Sequence, residues 1–305
     1  MKNNVIEVKS VFKYYGEVLA VNGVTLTVFK GETLGLIGHN GAGKSTLFKM
    51  MLGLIPTTSG EIVINGTPVQ GNAFRELRRS IGYLPENVVF YDNLTGLETL
   101  QFFAELKGCA HEALLPLLEK VGLIHAANRR VDGYSKGMRQ RLGFAQALLG
   151  KPRILFLDEP TTGLDPEGIR EFYAILHELN VQGVTVIITS HILSEIQERV
   201  QRLAVLKSGK IQALGTVQEL RESVDLPLTI HVRQHGSAET LMSTLQGITF
   251  EALSVESGVA IIRCHRAQKM EVLRRLGALG NALEDVIVKE PTLEDVFLGY
   301  AGLGA

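Results

Sequence analysis

Apolar and polar positions follow changing rhythms along this chain, and the changes divide it into three kinds of territory. From Val5 to Gly215, short runs of β-branched and aliphatic residues alternate with longer stretches in which apolar positions recur every three to four residues. That alternation predicts an α/β fold, with a parallel or mixed sheet flanked by helices. Thr33 to Ile37, Ile154 to Leu157 and Val184 to Thr189 are nearly continuous in apolar and β-branched residues, which suits central strands buried on both faces. Between residues 87 and 152 the strand-like runs give way to helical spacing at Leu97 to Leu106, Glu112 to Val121 and Lys136 to Leu149. A helical subdomain, 87–152, is therefore expected inside a core formed by 1–86 and 153–222.

Beyond about residue 222 the rhythm changes again. A strand at Leu228 to Arg233 precedes a helix at Ala238 to Leu245, strands at Thr249 to Val255 and Val259 to Cys264, a helix at Lys269 to Leu279, a strand at Glu284 to Lys289 and a helix at Leu293 to Tyr300. This βαββαβ order predicts a C-terminal ferredoxin-like α+β domain, 223–305.

Composition narrows the function. Of 305 residues, 45% are hydrophobic and 21% charged, which excludes disordered, collagen-like and coiled-coil chains. Lys and Arg number 31 against 32 Asp and Glu, a net charge of -1, so nothing global attracts nucleic acid or an anionic membrane. The two cysteines, Cys109 and Cys264, are far apart and fit neither a disulfide framework nor a metal-binding pair, as expected of a reducing, cytoplasmic compartment. The first ten residues lack a leader-like apolar stretch, and no run approaches the roughly 18 apolar residues of a membrane span.

The strongest chemical signal is Gly38-His39-Asn40-Gly41-Ala42-Gly43-Lys44-Ser45, followed by Thr46, placed between an apolar strand and a helix. In that setting a GxxxxGK[S/T] loop cradles phosphate with backbone amides and a helix N-terminus, Lys44 reaches the β- and γ-phosphates, and the Ser45 hydroxyl ligates Mg²⁺. The strand Ile154 to Leu157 runs into Asp158-Glu159, and adjacent carboxylates at the end of a buried strand are costly unless a cation or substrate uses them. Asp158 fits a metal-holding acid and Glu159 the base that polarises the attacking water. Ser135, before the helix at Lys136, is a good N-cap, and the helix start it opens is a second anion site.

With these pieces in place, the chain resembles the ATP-binding cassette (ABC) ATPases over roughly residues 5 to 220. Tyr134-Ser135-Lys136-Gly137-Met138-Arg139-Gln140 is similar to the signature motif, Thr161 to Asp165 to the D-loop, Ser190-His191 to the switch histidine, Tyr15-Gly16 to the aromatic loop and Tyr83-Leu84-Pro85-Glu86 to the Q-loop. The resemblance implies a P-loop NTPase fold with a RecA-like core and ATP and Mg²⁺ as ligands. It also implies that Tyr15 stacks on adenine, that His191 contacts the γ-phosphate, and that Ser45, Glu86 and Asp158 surround the metal. By the same resemblance, Ser135, Gly137 and Asp165 serve the nucleotide across a head-to-tail homodimer. Glu86 stands where the family usually has glutamine: it can still bind a metal but cannot donate an amide hydrogen bond.

The segment Pro291 to Phe297 resembles the tail of exporter-type ABC ATPases that work with a separate membrane subunit. Gly35 to Lys44, Gly82 to Tyr91 and Tyr134 to Leu142, including Glu86 and the SKGMRQR signature, resemble the NosF group, which energises NosDFY transporters in the maturation of the copper enzyme nitrous oxide reductase. That likeness implies a polytopic NosY-like membrane partner, a periplasmic NosD-like protein, a copper or sulfur cargo and a place on the inner face of the cell membrane. The alternatives are a drug, lipid or small-molecule exporter ATPase and a soluble ABC ATPase without a transporter. Phe90, Tyr91, Phe102 and Phe103 are candidate anchors for the membrane subunit. His231, His235, Cys264 and His265 are read as ordinary strand positions rather than a copper site, since no ligand spacing recurs.

Overall fold

The structure is a computed structural model that describes residues 3–223, 226–235, 238–248, 250–256, 259–291 and 295. It comprises two compact units, Met1–Thr216 and Val217–Ala305. The division falls a few residues before the expected 222, and Glu222 is ion-paired at 3.2 Å to Arg266 of the second unit.

The first unit opens with two long strands, β1 (Asn4–Tyr15) and β2 (Val18–Phe29), joined at Gly16, whose φ is 57°. There follow β3 (Thr33–Ile37), α1 (Lys44–Met51), β4 (Ser59–Ile64), β5 (Thr67–Pro68), α2 (Gly71–Leu77) and β6 (Ile81–Leu84). Helices α3 (Gly96–Lys107), α4 (Leu114–Lys120) and α5 (Lys136–Leu148) come next. The unit closes with β7 (Ile154–Asp158), α6 (Pro166–Val181), β8 (Thr185–Ser190), α7 (Leu193–Ile196), β9 (Arg202–Lys207) and β10 (Lys210–Gly215).

These strands form two sheets. The six-stranded one has the order β10-β9-β3-β8-β7-β6, parallel from β9 to β6, with β10 added antiparallel. Every residue of β3, β7 and β8 is buried, as their unbroken apolar runs require. The second sheet, β2-β1-β4-β5, is antiparallel throughout. Its strand rhythm is broken by bulges, one of them between Val8 and Val11, where Ser10 takes a φ of 45°. One hydrophobic core joins both sheets to α1, and Phe48 of α1 meets Phe156 of β7 edge to face at 5.4 Å. Burial of such aromatic pairs pins the phosphate-loop helix to the sheet.

The second unit contains α8 (Val217–Ser223), β11 (Leu228–Gln234), α9 (Ala238–Thr244), β12 (Ala252–Glu256), β13 (Val259–Cys264), α10 (Arg266–Gly277) and β14 (Leu283–Lys289). The strand order is β12-β13-β11-β14, with all neighbours antiparallel. Helix α10 starts at Arg266, three residues before the expected Lys269. Thr249 and all but one residue of the expected Leu293 to Tyr300 helix lie outside the described residues. Cys264 is fully buried among Ile230, Val232 and Ile262, and this burial pushes its thiol pKa up. A metal site there would need the thiolate exposed to the metal, so its packing is that of a core residue.

One contact shows how tightly helix α5 is set on the sheet. A methyl group added at Gly82 of β6 would meet the Ala147 carbonyl of α5 inside van der Waals contact and lie 2.6 Å from Leu155 Cδ2. Gly82→Ala is expected to destabilise the chain by about 1–3 kcal/mol, through overpacking alone. A thermal midpoint unchanged by this substitution, measured by calorimetry, would refute the account.

Candidate functional site

The phosphate loop links the C-terminal end of β3 to the start of α1 and is built against β2 and the β9–β10 turn. An added Cβ at Gly38 would collide with the Leu206 carbonyl, and one at Gly43 would lie 2.5 Å from the Ala20 carbonyl. Gly41 and Gly43 have φ values of 81° and 101°, conformations that glycine adopts without strain. No side chain caps α1, so its first-turn amides serve the cleft. That cleft, about 520 Å³, is lined by Tyr15, Ala20, His39 to Thr46, Glu86, Glu159 and His191. Its size suits a small organic ligand.

Lys44 is only 7% exposed, and its ammonium donates to the carbonyls of Gly38 at 2.6 Å and His39 at 3.4 Å. Burial lowers its pKa, opposed by the charges of Glu159, Asp158 and Glu86. Glu159 Oε1 lies 4.0 Å away. The amine is thus held on loop carbonyls beside the phosphate-binding amides, from which it can turn to an anion. Tyr83, below the same carboxylates, is pushed up to about 12 by burial, then by Asp158 and Glu86, and stays a neutral phenol.

Asp158 and Glu159 are 4% and 8% exposed, and a hydroxyl on the neighbouring parallel strand reconciles them with burial. Thr189 Oγ1 donates to Asp158 Oδ1 at 2.6 Å and accepts from the Glu159 amide at 2.9 Å. Glu159 has a φ of 49°, rare for a side-chain-bearing residue, and such strain concentrates at functional sites. Its Oε2 accepts from His191, from Nδ1 at 2.6 Å and from the backbone amide at 3.3 Å. With Nδ1 hydrogen-bonded to the carboxylate, His191 keeps Nε2 outside that contact, on a side chain 54% exposed.

Ser135, Gly137 and Asp165 form a separate constellation and line no part of this cleft. Ser135 Oγ accepts from the Met138 amide at 3.2 Å and caps α5. Asp165 accepts from Gly168 at 2.9 Å and caps α6 with Pro166 in its first turn. Gly137 packs against the Gly163 backbone, where an added Cβ would lie 2.9 Å from the carbonyl oxygen. Gln140 Nε2 donates to the Pro160 carbonyl at 2.9 Å, tying the signature helix to the residue after Glu159.

Thr189 and Ala20 were given no role from the sequence, and Gln140 was named there only as the end of the signature-like segment. A signal for Thr189 was present: a hydroxyl ending a run of buried aliphatics must find a partner. Of the four aromatic anchors, Phe90 is a correction. It is 8% exposed and packs on Phe103 at 6.0 Å, whereas Val89 and Tyr91 are 84% and 60% exposed.

Ser45 and Glu86 line the cleft, and Asp158, buried outside its lining, is near enough for its charge to act on Lys44; these hard oxygen donors fit Mg²⁺, which keeps several waters and needs few protein ligands. Among the described residues no cluster of three or more His, Cys, Asp or Glu suggests a softer metal.

This geometry is that of an ATP-hydrolysing cassette. Residues 21–162 match the ABC transporter family. The bacitracin transport ATP-binding protein BcrA of Bacillus licheniformis is 35% identical over 305 residues, covering 99% of each chain. The linearmycin resistance ATP-binding protein LnrL of Bacillus subtilis is 30% identical over 307 residues, covering 97% of this chain and 98% of that protein. The dimeric ABC transporter cassette MJ0796 superposes with a TM-score of 0.65 at 27% identity, over 70% of this chain and 98% of its own. The chain belongs to the ABC transporter ATP-binding proteins and is an ATP-hydrolysing transporter subunit.

Replacing Thr189 by valine keeps the shape but leaves Asp158 and the Glu159 amide without their shared partner, at a cost of about 1–3 kcal/mol. Thr189→Val is expected to lower both thermal stability and phosphate release, while Thr189→Ser retains both. Equal activity in the valine variant and the parent would show that the bridge is dispensable.

Proposed function

We propose that this chain drives export across a membrane as one of two cassettes arranged head to tail, each cleft completed by the signature of the other chain. The observation that carries this reading is the split between two anion-ready surfaces: the Lys44–Glu159–His191 cleft, and a Ser135-capped helix start that lines no part of it. One chain then contributes half of two sites.

In this mechanism the loop amides and Lys44 bind the β- and γ-phosphates of ATP, and the half-exposed Tyr15 stacks on the base. Glu159, held by the His191 Nδ1 proton, orients and polarises the attacking water, and His191 Nε2 faces the reacting phosphate. Ser45, Asp158 and Glu86 would hold Mg²⁺, which supplies neutralisation of phosphate charge.

No helix among the described residues is long and apolar enough to cross a membrane, so the reading assigns translocation to a separate polytopic subunit. Val89 and Tyr91, just beyond Glu86, are the exposed apolar positions offered to it, at the cytoplasmic face. We read the C-terminal unit as ferredoxin-like, on its βαββαβ order and the sequence of its strands.

The names of BcrA and LnrL favour an antimicrobial compound as the exported cargo. A second reading, the NosF-like role with NosY-like and NosD-like partners and a copper or sulfur cargo, rests on the segments Gly35 to Lys44, Gly82 to Tyr91 with its Glu86, and Tyr134 to Leu142 with the SKGMRQR signature.

Removing the base while keeping the phosphate contacts separates binding from chemistry. Glu159→Gln is expected to bind ATP but hydrolyse it on the order of 10² times more slowly or worse. With ATP and Mg²⁺ it should elute as a dimer in size-exclusion chromatography. Full activity would remove Glu159 from the role of base, and a monomer under those conditions would refute the paired arrangement.

In the native host the same variant separates the two cargo readings. Export of an antimicrobial predicts loss of tolerance to bacitracin-like or linearmycin-like compounds with normal nitrous oxide consumption. The NosF-like role predicts nitrous oxide accumulating in the headspace over a denitrifying culture, with tolerance intact.

A further inference from the structure

Lys13, near the end of β1, has an arrangement that the phosphate chemistry does not use. Its ammonium donates to the Pro56 carbonyl at 2.8 Å and stands over the Tyr15 ring, 5.1 Å from its centre. Tyr15 is 49% exposed and lines the nucleotide cleft. Two more hydrogen bonds join the same stretches: Thr58 donates its amide to the Phe12 carbonyl at 2.8 Å, and Thr58 Oγ1 accepts from the Tyr14 amide at 3.1 Å.

We propose that Lys13 is a positioning residue for the nucleoside end of the substrate, its ammonium fixed on Pro56 and backing one face of Tyr15 so that the other face takes a flat purine base. The proposal rests on the reading of Tyr15 as the base platform. A half-exposed tyrosine loses rotamer freedom when a base stacks on it, and a cation already seated against the ring removes part of that cost in advance. The cation also draws ring electron density to its own side, which suits the second face to stacking rather than to a further cation.

The seat on Pro56 links this to the phosphate site. Pro56 follows α1, whose first turn carries Lys44 and Ser45, so a single stretch of chain connects the phosphate-binding helix to the support of the base platform. The span between the two ends of the site is thereby fixed, and a ligand with a base at the right distance from its phosphates gains over bare polyphosphate.

The test compares ATP with inorganic tripolyphosphate, which has the phosphates but no base, by calorimetric titration of the full chain. Lys13→Met keeps the aliphatic length and removes the charge. It is expected to weaken ATP binding about two- to five-fold, the range of an exposed cation–π contact, and to leave tripolyphosphate binding unchanged. Lys13→Arg should restore ATP affinity. Equal weakening for both ligands would show that Lys13 merely supports the fold, and no weakening for either would show that it does nothing for binding; both overturn the proposal. Tyr15→Ala separates the underlying reading: if it leaves the preference for ATP over tripolyphosphate intact, the base platform itself is wrong and the proposal falls with it. If Tyr15→Ala loses that preference while Lys13→Met keeps it, the platform stands and the role of Lys13 is rejected.

Discussion

The bridge from β7 to β8 through one hydroxyl is the interaction on which the site depends. Two adjacent carboxylates at the end of a fully buried strand carry a desolvation cost of several kcal/mol each unless their charge is answered. Thr189 answers part of it by giving Asp158 a proton donor and taking the Glu159 amide as its own. This is possible because the parallel register sets Asp158 directly beside Thr189. A slip of one residue would turn the hydroxyl to the opposite face and strand both carboxylates. The register itself is held by the apolar runs of β3, β7 and β8, so packing of the sheet and placement of the chemistry are one constraint.

From that bridge the site extends in two directions. Glu159 leaves the strand with a left-handed backbone, which swings its carboxylate out of the strand line to meet His191, and Gln140 of the signature helix grips the very next carbonyl, that of Pro160. The strained residue therefore has a fixed strand on one side and helix α5 on the other. A movement of α5 would be felt at Glu159 through one peptide unit. Helix α5 and the Glu159 carboxylate are thus linked without a chain of side chains between them.

Legibility of these features in the sequence follows their physics. The central strands and phosphate loop were readable because burial on both faces forces unbroken apolar runs, and because the loop's glycines satisfy steric demands that few other sequences meet. The antiparallel sheet of β1, β2, β4 and β5 was not, since the bulge at Ser10 breaks the two-residue period from which strands are recognised. Phe90 and Tyr91 are adjacent and equally aromatic, and only the path of the loop decides that one is buried against Phe103 while the other rests edge to face on Phe102 and stays 60% exposed. Cys264 was ambiguous for a similar reason: strand position gives a face, and it takes the packed helices to say which face is the core.

The charges around the phosphate loop impose a last condition. Lys44 is the cation among the groups whose fields act on one another there, and Glu159, Asp158 and Glu86 oppose it, one positive charge against three negative when the carboxylates are ionised. A nucleotide polyanion entering such a place would meet these carboxylates as well as the amides of the loop, and Lys44, whose charged form burial already disfavours, could offset only part of the carboxylates' repulsion. A divalent cation beside the substrate would answer those carboxylates, and Ser45, Glu86 and Asp158 are the oxygen donors that would hold it. Glutamate at position 86 adds to the negative charge around Lys44, because a glutamine there would give the same shape with one negative charge fewer.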